Sequence, residues 1–391
     1  FEISKASTIT NKIKREKHNY PNVKNDHLPS YKHSIKVFDL YIDDNDLYHP
    51  DYGIKANPKG RGKSFEKRGY LRIYDQDKKV FESFLGLRLH GGAHRGRSKT
   101  SKKSYRLYMR KKYGAEKINL LSQSQEKRKK YVLRVTARKP FVNEISFDFI
   151  NKIGGIAPHA EPVHFFLNGE NRGFYHLTEF IEKELWLKKT DSKDLIFYKY
   201  KGSNSPSDTY LFNELNNFIA NSPAPLKLKK IKSLIDMDNY MAHIFSIIYL
   251  GCSDWVQGAL FKENLMDAKW KFISWDYDKA LTVMDSHKRK RTEKAVNLNA
   301  FEFLISPYKP DLRSTLFNRL LKEDKNFAPY LKQSFNRLLN EIDQTFVNRI
   351  MQSYQLFVQK YANDLSSDVE EIRLFLINRK SVVENQLKQF K

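Results

Sequence analysis

The sequence predicts an α+β protein in which a small β-rich lobe comes first and a larger α-rich lobe follows. Apolar and polar residues alternate with period two in several segments before residue 180, as expected for half-buried strands. Apolar residues recur at helical spacing after residue 236, and nearly all of the chain from residue 312 onward has this spacing. The order of these two patterns along the chain defines the order of the lobes.

Three segments are expected. Residues 1–35 are polar and basic and form an N-terminal extension, residues 36–182 form the N-lobe, and residues 183–391 form the helical C-lobe. No run approaches the roughly 18 consecutive apolar residues of a membrane span. The chain does not begin with Met, which leaves open a leader that was cut away. The compartment stays undetermined, with an extracytoplasmic or secreted location slightly favoured.

The N-lobe is predicted to be a mostly antiparallel sheet. Its alternating segments are VFDLYI (37–42), YLRIYD (70–75), FLGLRLH (84–90), SYRLYM (104–109), PVHFFLN (162–168) and GFYHLTEF (173–180). The last two are joined by a hairpin turn at residues 169–172. A helix is expected over residues 141–153, because Phe141, Ile145, Phe149 and Ile153 share one face and two glycines follow.

The C-lobe begins with a looser stretch, residues 201–230, in which we expect one short helix. A core helix follows over residues 236–251, with Asp236 and Asp238 placed as N-caps. Two short strands, ALFKEN (259–264) and WKFISWD (270–276), are expected to form a small hairpin before the C-terminal helices begin.

Composition limits the classes of function. Hydrophobic residues make up 40% of the 391 residues and aromatics 14%, which argues for a large folded core. The net charge of +25 favours polyanionic partners, such as anionic glycans, acidic proteins or nucleic acid. Nucleic acid is unlikely, because no known binding motif accompanies the charge. The one cysteine, Cys252, excludes a disulfide framework and a thiolate zinc site.

The C-lobe contains a candidate metal site in SWDYD (274–278). Asp276 and Asp278 come where a strand ends, and Mg²⁺ typically takes one or two carboxylates together with substrate phosphates. Such a pair is more often a turn or cap. Asp254 adds weight, because it follows the core helix and precedes Asp276 by 22 residues, an interval that holds one hairpin. Protein kinases place a catalytic aspartate, a hairpin and a metal-binding aspartate in this order.

The N-lobe supplies candidate phosphate-binding residues. The segment HGGAHRGRS (90–98) is a basic turn in which Gly91 and Gly92 permit close backbone approach and Arg95 or Arg97 adds charge. Lys103 begins the next strand, and Glu144 lies on the next helix. In kinases a strand lysine contacts the phosphates and pairs with a helix glutamate. Gly-rich turns are common, so this signal is weak by itself.

Taken together, these segments resemble the spore-coat protein H (CotH) kinase family of atypical protein kinases. The segments that carry the resemblance are GLRLHGGAHR (86–95), KKSYRLYMRKKYG (102–114), FFLNGENRGFYHLTE (165–179), KFISWDYD (271–278) and LFNRLLKEDKNF (316–327). The resemblance implies a two-lobed, protein-kinase-like fold that uses ATP with Mg²⁺ or Mn²⁺. The resemblance implies a protein Ser or Thr hydroxyl as the acceptor, and the net charge of +25 adds a sugar hydroxyl of an anionic glycan or lipopolysaccharide as an alternative.

The resemblance also implies roles for single residues. Lys103 resembles the nucleotide lysine, Arg95 a Gly-rich-loop arginine and Asp254 the catalytic-loop aspartate. Asp276 and Asp278 resemble the metal-binding carboxylates. Glu179 resembles an acidic residue typical of the family near the hinge between the lobes, and Asn168 and Gly169 resemble structural turn residues.

Two departures from the family pattern leave an alternative open. Family members usually carry Asn a few residues after the catalytic aspartate, whereas this chain has Gly258 and Ala259, and Gln257 is the nearest amide and candidate ligand. Lys279 follows the D-x-D pair where Gly is common. We expect an ATP-dependent kinase, and the alternative is a pseudokinase or polyanion-binding module without transfer.

Overall fold

The computed structural model describes residues 35–390 except 77, 93–94, 96–101, 115, 123, 125, 136–140, 188–189, 191, 282, 285–289 and 292–294. The predicted N-terminal extension therefore lies outside the described residues, apart from its last position. The described chain forms two compact units. The first falls within residues 1–137 and 159–180, and the second within residues 138–158 and 181–391.

The first unit is a closed barrel of seven strands. They are β1 (Val37–Ile42), β2 (Lys67–Asp75), β3 (Lys78–Leu89), β4 (Tyr105–Tyr108), β5 (Lys130–Arg134), β6 (Ala160–Leu167) and β7 (Glu170–Glu179), with the short helix α1 (Asp44–Tyr48) after β1. Neighbours follow the order β1-β2-β3-β4-β5-β7-β6, and β1 pairs with β6 to close the barrel. That closing pair is parallel, whereas the other pairs are antiparallel.

Alternation explains how the strands close around one core. Each strand turns every second side chain inward, and one fully buried contributor from each is Phe38, Leu71, Leu85, Leu107, Leu133, Phe165 and Leu177. The six predicted strand segments are confirmed. The strand β5 was not predicted, because its residues follow directly on the charged run 126–130, which masks their alternation.

The turn between β6 and β7 is shorter than the predicted turn at residues 169–172. Only Asn168 and Gly169 lie outside the strands, and their φ angles are 52° and 78°. Two consecutive positive φ angles are typical of the two-residue turn that Asn-Gly favours. The Asn168 side chain also accepts from the Ile42 N–H at 2.8 Å and donates to the Ile42 carbonyl at 2.9 Å, which ties the hairpin to β1.

The second unit is mainly helical. Its helices are α2 (Val142–Lys152), α3 (Lys183–Leu187), α4 (Pro206–Asn221), α5 (Leu228–Leu234), α6 (Met237–Tyr249), α7 (Glu302–Ile305), α8 (Leu312–Glu323), α9 (Phe327–Glu341), α10 (Gln344–Tyr361) and α11 (Ser366–Leu387). Strands β8 (Leu195–Lys199), β9 (Ala259–Glu263) and β10 (Lys271–Ile273) form a three-stranded antiparallel sheet, and β11 (Val283–Met284) pairs with β12 (Lys290–Arg291).

Helix α6 is the core element of the second unit. Each of its residues except Asp238 is buried, and the Asp236 side chain caps it by accepting from the Asn239 N–H at 3.1 Å. Helix α2 packs on it, since the Phe149 ring lies 5.1 Å from the Tyr249 ring. Residues 138–158, which the sequence-based division placed in the N-lobe, therefore group with the second unit.

Two sequence predictions for this unit need correction. The helix expected to be short within residues 201–230 is α4, which has 16 residues. Ser205 and Pro206, which had indicated a loop, are its N-cap and first residue. The predicted hairpin is a three-stranded sheet, because β8 pairs with β9.

The α+β class is confirmed, and the arrangement of two kinase-like lobes stays a prediction. No helix in the described part of the chain has the length and apolar character needed to cross a membrane.

Candidate active site

Helix α6 carries a polar stripe on an otherwise apolar surface. Asn239, His243 and Ser246 follow one another at spacings of four and three residues, so they share one helix face. Asn239 bonds both backbone groups of Phe272 in β10, since it accepts from the N–H at 2.6 Å and donates to the carbonyl at 3.2 Å. The stripe therefore sets the path of β10 toward residues 274–278.

The other two members of the stripe hold the SWDYD segment itself. The His243 Nδ1 and the Ser274 hydroxyl lie 2.8 Å apart, and the Ser246 and Tyr277 hydroxyls also lie 2.8 Å apart. Burial, together with the nearby Arg313 charge, lowers the pKa of His243 well below 6.5. The imidazole is therefore neutral at physiological pH, and the network under the aspartates carries no charge of its own.

Asp276 lies just beyond the end of β10 and is only partly buried. Its φ of 64° is in the left-handed region, which Asp tolerates better than most residues. The Gln257 side chain donates from Nε2 to Asp276 Oδ2 at 2.5 Å. This bond joins the loop after α6 to the segment after β10.

Asp254 and Lys279 form a second link between the same two segments. The Lys279 Nζ lies 2.8 Å from Asp254 Oδ2, and both side chains are partly exposed. The fully buried Cys252 thiol lies beside this region. Burial raises its pKa, and the charges of Asp278, Asp254 and Asp276 raise it further. The structure thus brings together the three aspartates that the sequence singled out.

Gly258 explains one departure from the family pattern. Its φ is 120°, and a Cβ built there would lie 2.3 Å from the Ile273 carbonyl oxygen. No side chain fits at this position, and Ala259 is buried at the start of β9. Gln257 is therefore the position from which an amide in this loop contacts the D-x-D segment.

Arg313, which the sequence analysis missed, fixes the Asp254 loop. It lies at the start of α8, is fully buried, and donates from Nη1 to the Trp255 and Gln257 carbonyls at 2.9 and 3.1 Å. Its Nε bonds Asp311 Oδ2 at 2.9 Å, and its guanidinium lies 4.4 Å from the centre of the Tyr200 ring. No local motif marks its role in this loop, because the loop carbonyls that it bonds are more than 50 positions away.

The predicted metal ligands suit a divalent cation whose remaining coordination positions are filled by phosphate or water oxygens. Within the described ranges, no three or more His, Cys, Asp and Glu side chains cluster closely enough to hold a metal ion. Two carboxylates, Asp276 and Asp278, agree with the usual magnesium pattern of few protein ligands and several phosphate or water oxygens. The metal role of these residues and of Gln257 stays a prediction.

The first unit contains a cationic group at the predicted glycine-rich turn. The Lys103 Nζ donates to the Arg95 carbonyl at 3.3 Å. The Arg95 guanidinium itself donates to the carbonyls of Leu89 and Lys59, each at 3.3 Å. Burial lowers the pKa of Arg95, and the nearby charges of Arg61 and Arg106 lower it further. Several positive charges thus lie close together at this turn.

The glycines of this turn have open surroundings. Gly91 has a φ of 107°, and a Cβ at either Gly91 or Gly92 would meet no atom of the described residues within 4 Å. Residues 93–94 and 96–101 of the predicted loop lie outside the described residues. The backbone at both glycines can therefore be approached closely, as the phosphate-binding prediction requires.

The two predicted glutamates are buried in separate units. Glu179 in the first unit is fully buried, pairs with Arg128 at 3.3 Å and accepts from the His159 N–H at 3.0 Å. Glu144 lies on α2 in the second unit and is also buried. Glu179 therefore has a structural contact in the first unit, and nucleotide contacts of both residues stay predictions.

Comparison with known proteins places the chain in a family of kinase-type proteins. A family model described as "CotH kinase protein" matches residues 87–390. The chain belongs to the CotH kinase family, which confirms the resemblance found in the sequence. The inner spore coat protein H of Bacillus subtilis (strain 168) is 22% identical over 229 residues, which cover 52% of this chain and 58% of that protein.

Two solved structures show distant similarity. The proinflammatory kinase CtkA of Helicobacter pylori has 12% identity and a TM-score of 0.34, with 66% of this chain and 91% of that chain covered. The Shewanella oneidensis HipA–HipB toxin–antitoxin complex with operator DNA has 10% identity and a TM-score of 0.33, with 92% and 73% covered. Both TM-scores are low, so neither structure carries an argument about the site.

Proposed function

We propose that this chain is an ATP- and metal-dependent phosphotransferase that transfers the γ-phosphoryl group of ATP to a hydroxyl acceptor. One observation carries the proposal. Two side-chain contacts, Gln257–Asp276 and Asp254–Lys279, join the loop after α6 to the D-x-D segment after β10. A proposed proton acceptor and a proposed metal-binding carboxylate are thereby held in one part of the second unit.

In this proposal Asp276 and Asp278 hold Mg²⁺ or Mn²⁺, which when bound neutralises charge on the phosphate oxygens. Asp254 orients the acceptor hydroxyl and takes its proton while the oxygen bonds the γ-phosphorus and ADP leaves. Lys279 fixes one carboxylate oxygen of Asp254. Catalysis then depends mostly on positioning and charge stabilisation.

The first unit would contribute to holding the triphosphate. Burial and the positive charges of Arg61 and Arg106 already depress the pKa of Arg95. A polyphosphate bound near the turn would relieve this repulsion and accept hydrogen bonds from Lys103 and the backbone at Gly91 and Gly92. The acceptor would be a Ser or Thr hydroxyl of a protein. A sugar hydroxyl of an anionic glycan or lipopolysaccharide is the alternative, because the net charge of +25 attracts anionic partners.

A second candidate is a nucleotide-binding pseudokinase. The observation in its favour is that Asp254 and the Gln257 amide, both needed for transfer, already have protein partners. The two candidates share nucleotide binding and differ in turnover.

Calorimetry with ATP tests the shared part. We expect binding that requires Mg²⁺ or Mn²⁺, and equally tight binding in EDTA would contradict the proposal. Transfer is tested by mass spectrometry of acceptors labelled from γ-phosphate-labelled ATP in extracts of the source cell. Tight, metal-dependent ATP binding with no labelled acceptor and no autophosphorylation would favour the pseudokinase.

A further inference from the structure

The second unit has a concave surface lined by lysines at helix α5. This cavity has a volume of about 770 Å³. We call it the lysine pocket and define it by Lys227, Lys229, Lys230 and Lys232. All four side chains are exposed. A volume of this size is within the range of cavities that bind ligands or several side chains of a partner.

Within the described residues, none of the four ammonium groups lies within ion-pair distance of a carboxylate, although the charge of Lys227 helps to lower the pKa of Asp324. Two of them lie over aromatic rings instead. Lys232 Nζ is 4.2 Å from the centre of the Tyr330 ring, and Lys230 Nζ is 6.0 Å from that of Phe218. Ring faces attract cations without neutralising them, so they position these charges and leave them available to an anion.

The carboxylates beside the pocket are already engaged. Asp324, which lines it, is buried and accepts from the Leu228 N–H at 2.7 Å and from the Asn326 N–H at 3.0 Å. Glu323 accepts from the Leu226 N–H at 2.6 Å and pairs with Arg319 at 2.7 Å. Asp324 keeps its negative charge, but with four lysines and one carboxylate the residues that line the pocket have a net positive charge.

We propose that the lysine pocket is a docking site for an acidic peptide segment of the acceptor protein, an inference that rests on the proposed function. Charge complementarity selects an anionic partner. All four cations are lysines, which act as point charges, whereas the planar fork of arginine favours bidentate recognition of phosphate. A concave surface also fits a peptide segment better than a flat membrane.

The lysine pocket on α5 precedes the starts of α6 and β10, and the candidate active site follows the ends of these two elements. Helix α5 ends at Leu234, whose carbonyl accepts from the Trp270 N–H at 2.9 Å at the start of β10. The candidate site follows the other end of β10 and of α6. The 13 residues of α6 span about 20 Å. An extended acceptor chain that runs along α6 would need about six residues to cover the length of this helix.

Direct binding tests the inference without ATP, so its failure is distinguishable from failure of the proposed transfer. The probe is a fluorescein-labelled peptide with a run of aspartates, measured by anisotropy at about 0.15 M salt, where the Debye length is about 8 Å. Changing all four lysines of the pocket to Gln is expected to weaken binding by about tenfold or more, since four exposed charge contacts are lost. Changing them to Arg keeps the charge and is expected to keep most of the affinity.

A matched variant controls for the overall charge. It changes four exposed lysines elsewhere in the second unit, Lys193, Lys309, Lys360 and Lys388, to Gln, and it lowers the net charge by the same amount. We expect less than about a twofold effect on affinity, because exposed charges beyond a Debye length are screened. An equal loss in both variants, or no loss in the pocket variant, would overturn the proposal.

Two further ligands test the choice of partner. Vesicles of phosphatidylserine and phosphatidylcholine, and duplex DNA, are measured with the same variants. If the vesicles or the DNA bind more tightly than the peptide, and the variant that lacks the four lysines loses this binding, then that ligand and not the acidic peptide is the occupant of the pocket. Acceptor peptides whose acidic run lies about six or more residues from the Ser should be labelled best. Labelling that ignores this spacing would contradict the docking geometry.

Discussion

Arg313 shows how a single side chain can fix a loop that carries chemistry. Its guanidinium bonds the carbonyls of Trp255 and Gln257 and pairs with Asp311. These bonds fix the backbone conformation of the residues that follow Asp254. A buried arginine is tolerated only where such partners satisfy it, so the loop and the arginine depend on each other.

Asp254→Asn tests the proposed proton acceptor. Asn cannot take a proton, so transfer should fall by about 10²- to 10⁴-fold. Nucleotide affinity should stay near wild type, because Asp254 acts on the acceptor and not on ATP. Steady-state transfer and calorimetric ATP binding measure the two effects separately.

Lys279→Met is the matched control, because it removes the same ion pair and keeps the carboxylate. A partly exposed pair contributes about 1 kcal/mol or less, so transfer should fall by less than about tenfold. Wild-type transfer by Asp254→Asn would show that the catalytic assignment is wrong.

Gly258→Ala is expected to lower the free energy of unfolding by about 3 kcal/mol, because the new Cβ would meet the Ile273 carbonyl and the left-handed φ would be strained. Gly154→Ala separates the two causes. Gly154 has a φ of 80° but open surroundings, so only about 1 kcal/mol is expected there. Urea unfolding measures both, and equal losses would show that the contact with β10 is unimportant.

Residue types and spacing identified Asp254, Asp276 and Asp278, because carboxylates at loop and strand ends are visible in the sequence. The residues that hold these aspartates in place could not be recognised in the sequence. Arg313 and Lys279 act through contacts that only the fold creates. Gln257 was identified merely as the nearest amide, and its bond to Asp276 depends on the close approach of Gly258 to β10.

Helix α2 carries two carboxyl groups one turn apart, the buried Glu144 and the partly buried Asp148. The Tyr354 hydroxyl of α10 donates to Asp148 Oδ2 at 2.8 Å. Burial raises the pKa of Asp148 from 3.8 to about 6, with the Tyr354 bond opposing the shift and the Glu144 charge adding to it, while Lys152 opposes it weakly. The ionised form is therefore destabilised in the folded state.

Asp148→Asn should stabilise the protein at pH 8 and have little effect near pH 4. In the wild type the folded state binds more protons than the unfolded state between about pH 4 and pH 6, so its stability falls as the pH rises through that window. The pKa shift of Asp148 corresponds to a loss of at most about 3 kcal/mol in the free energy of unfolding between these pH values. Urea unfolding at the two pH values measures it.

The exposed Asp364→Asn serves as the control for Asp148→Asn, and it should change stability by less than about 0.5 kcal/mol at either pH. An Asp148→Asn protein no more stable than wild type at pH 8 would contradict the effect of burial on this carboxyl.

Elements with strong periodicity were predicted well, and those that depend on pairing were not. The core helix α6 was expected from its apolar spacing, but its polar stripe was overlooked although Asn239, His243 and Ser246 already share one face in the sequence. The strand β5 was missed because it adjoins the charged run 126–130, and β8 was missed because it is defined by its pairing with β9. The cap at Ser205 and Pro206 was interpreted as loop chemistry.

The chain passes between the two units more than once. It leaves the first unit after β5, forms α2 in the second unit, and returns for β6 and β7. Neither half of the sequence therefore corresponds to one compact unit. Composition and periodicity gave the correct class and order of elements, but they carry no information about which unit an inserted helix joins.

A fragment of residues 35–137 should not fold as a stable monomer. It lacks β6 and β7, so β1 and β5 each lose a neighbour and expose an unpaired edge, which favours aggregation. Circular dichroism and size-exclusion chromatography test this. The control joins residue 137 to residues 159–180 through a flexible Gly-Ser linker, and this version should unfold cooperatively. A cooperative transition in the shorter fragment would show that barrel closure is dispensable.

Cys252 gives the molecule a built-in reporter. Cys252 lies two residues before Asp254, and its thiol is fully buried, which raises the pKa of the thiol. The Cys252 N–H donates to the Ile247 carbonyl at 3.0 Å. An alkylating reagent needs an exposed thiolate, so it can react only while this loop is transiently open. Because the chain has no other cysteine, the rate of alkylation measures how often the loop opens, and any ligand that tightens it will slow the reaction.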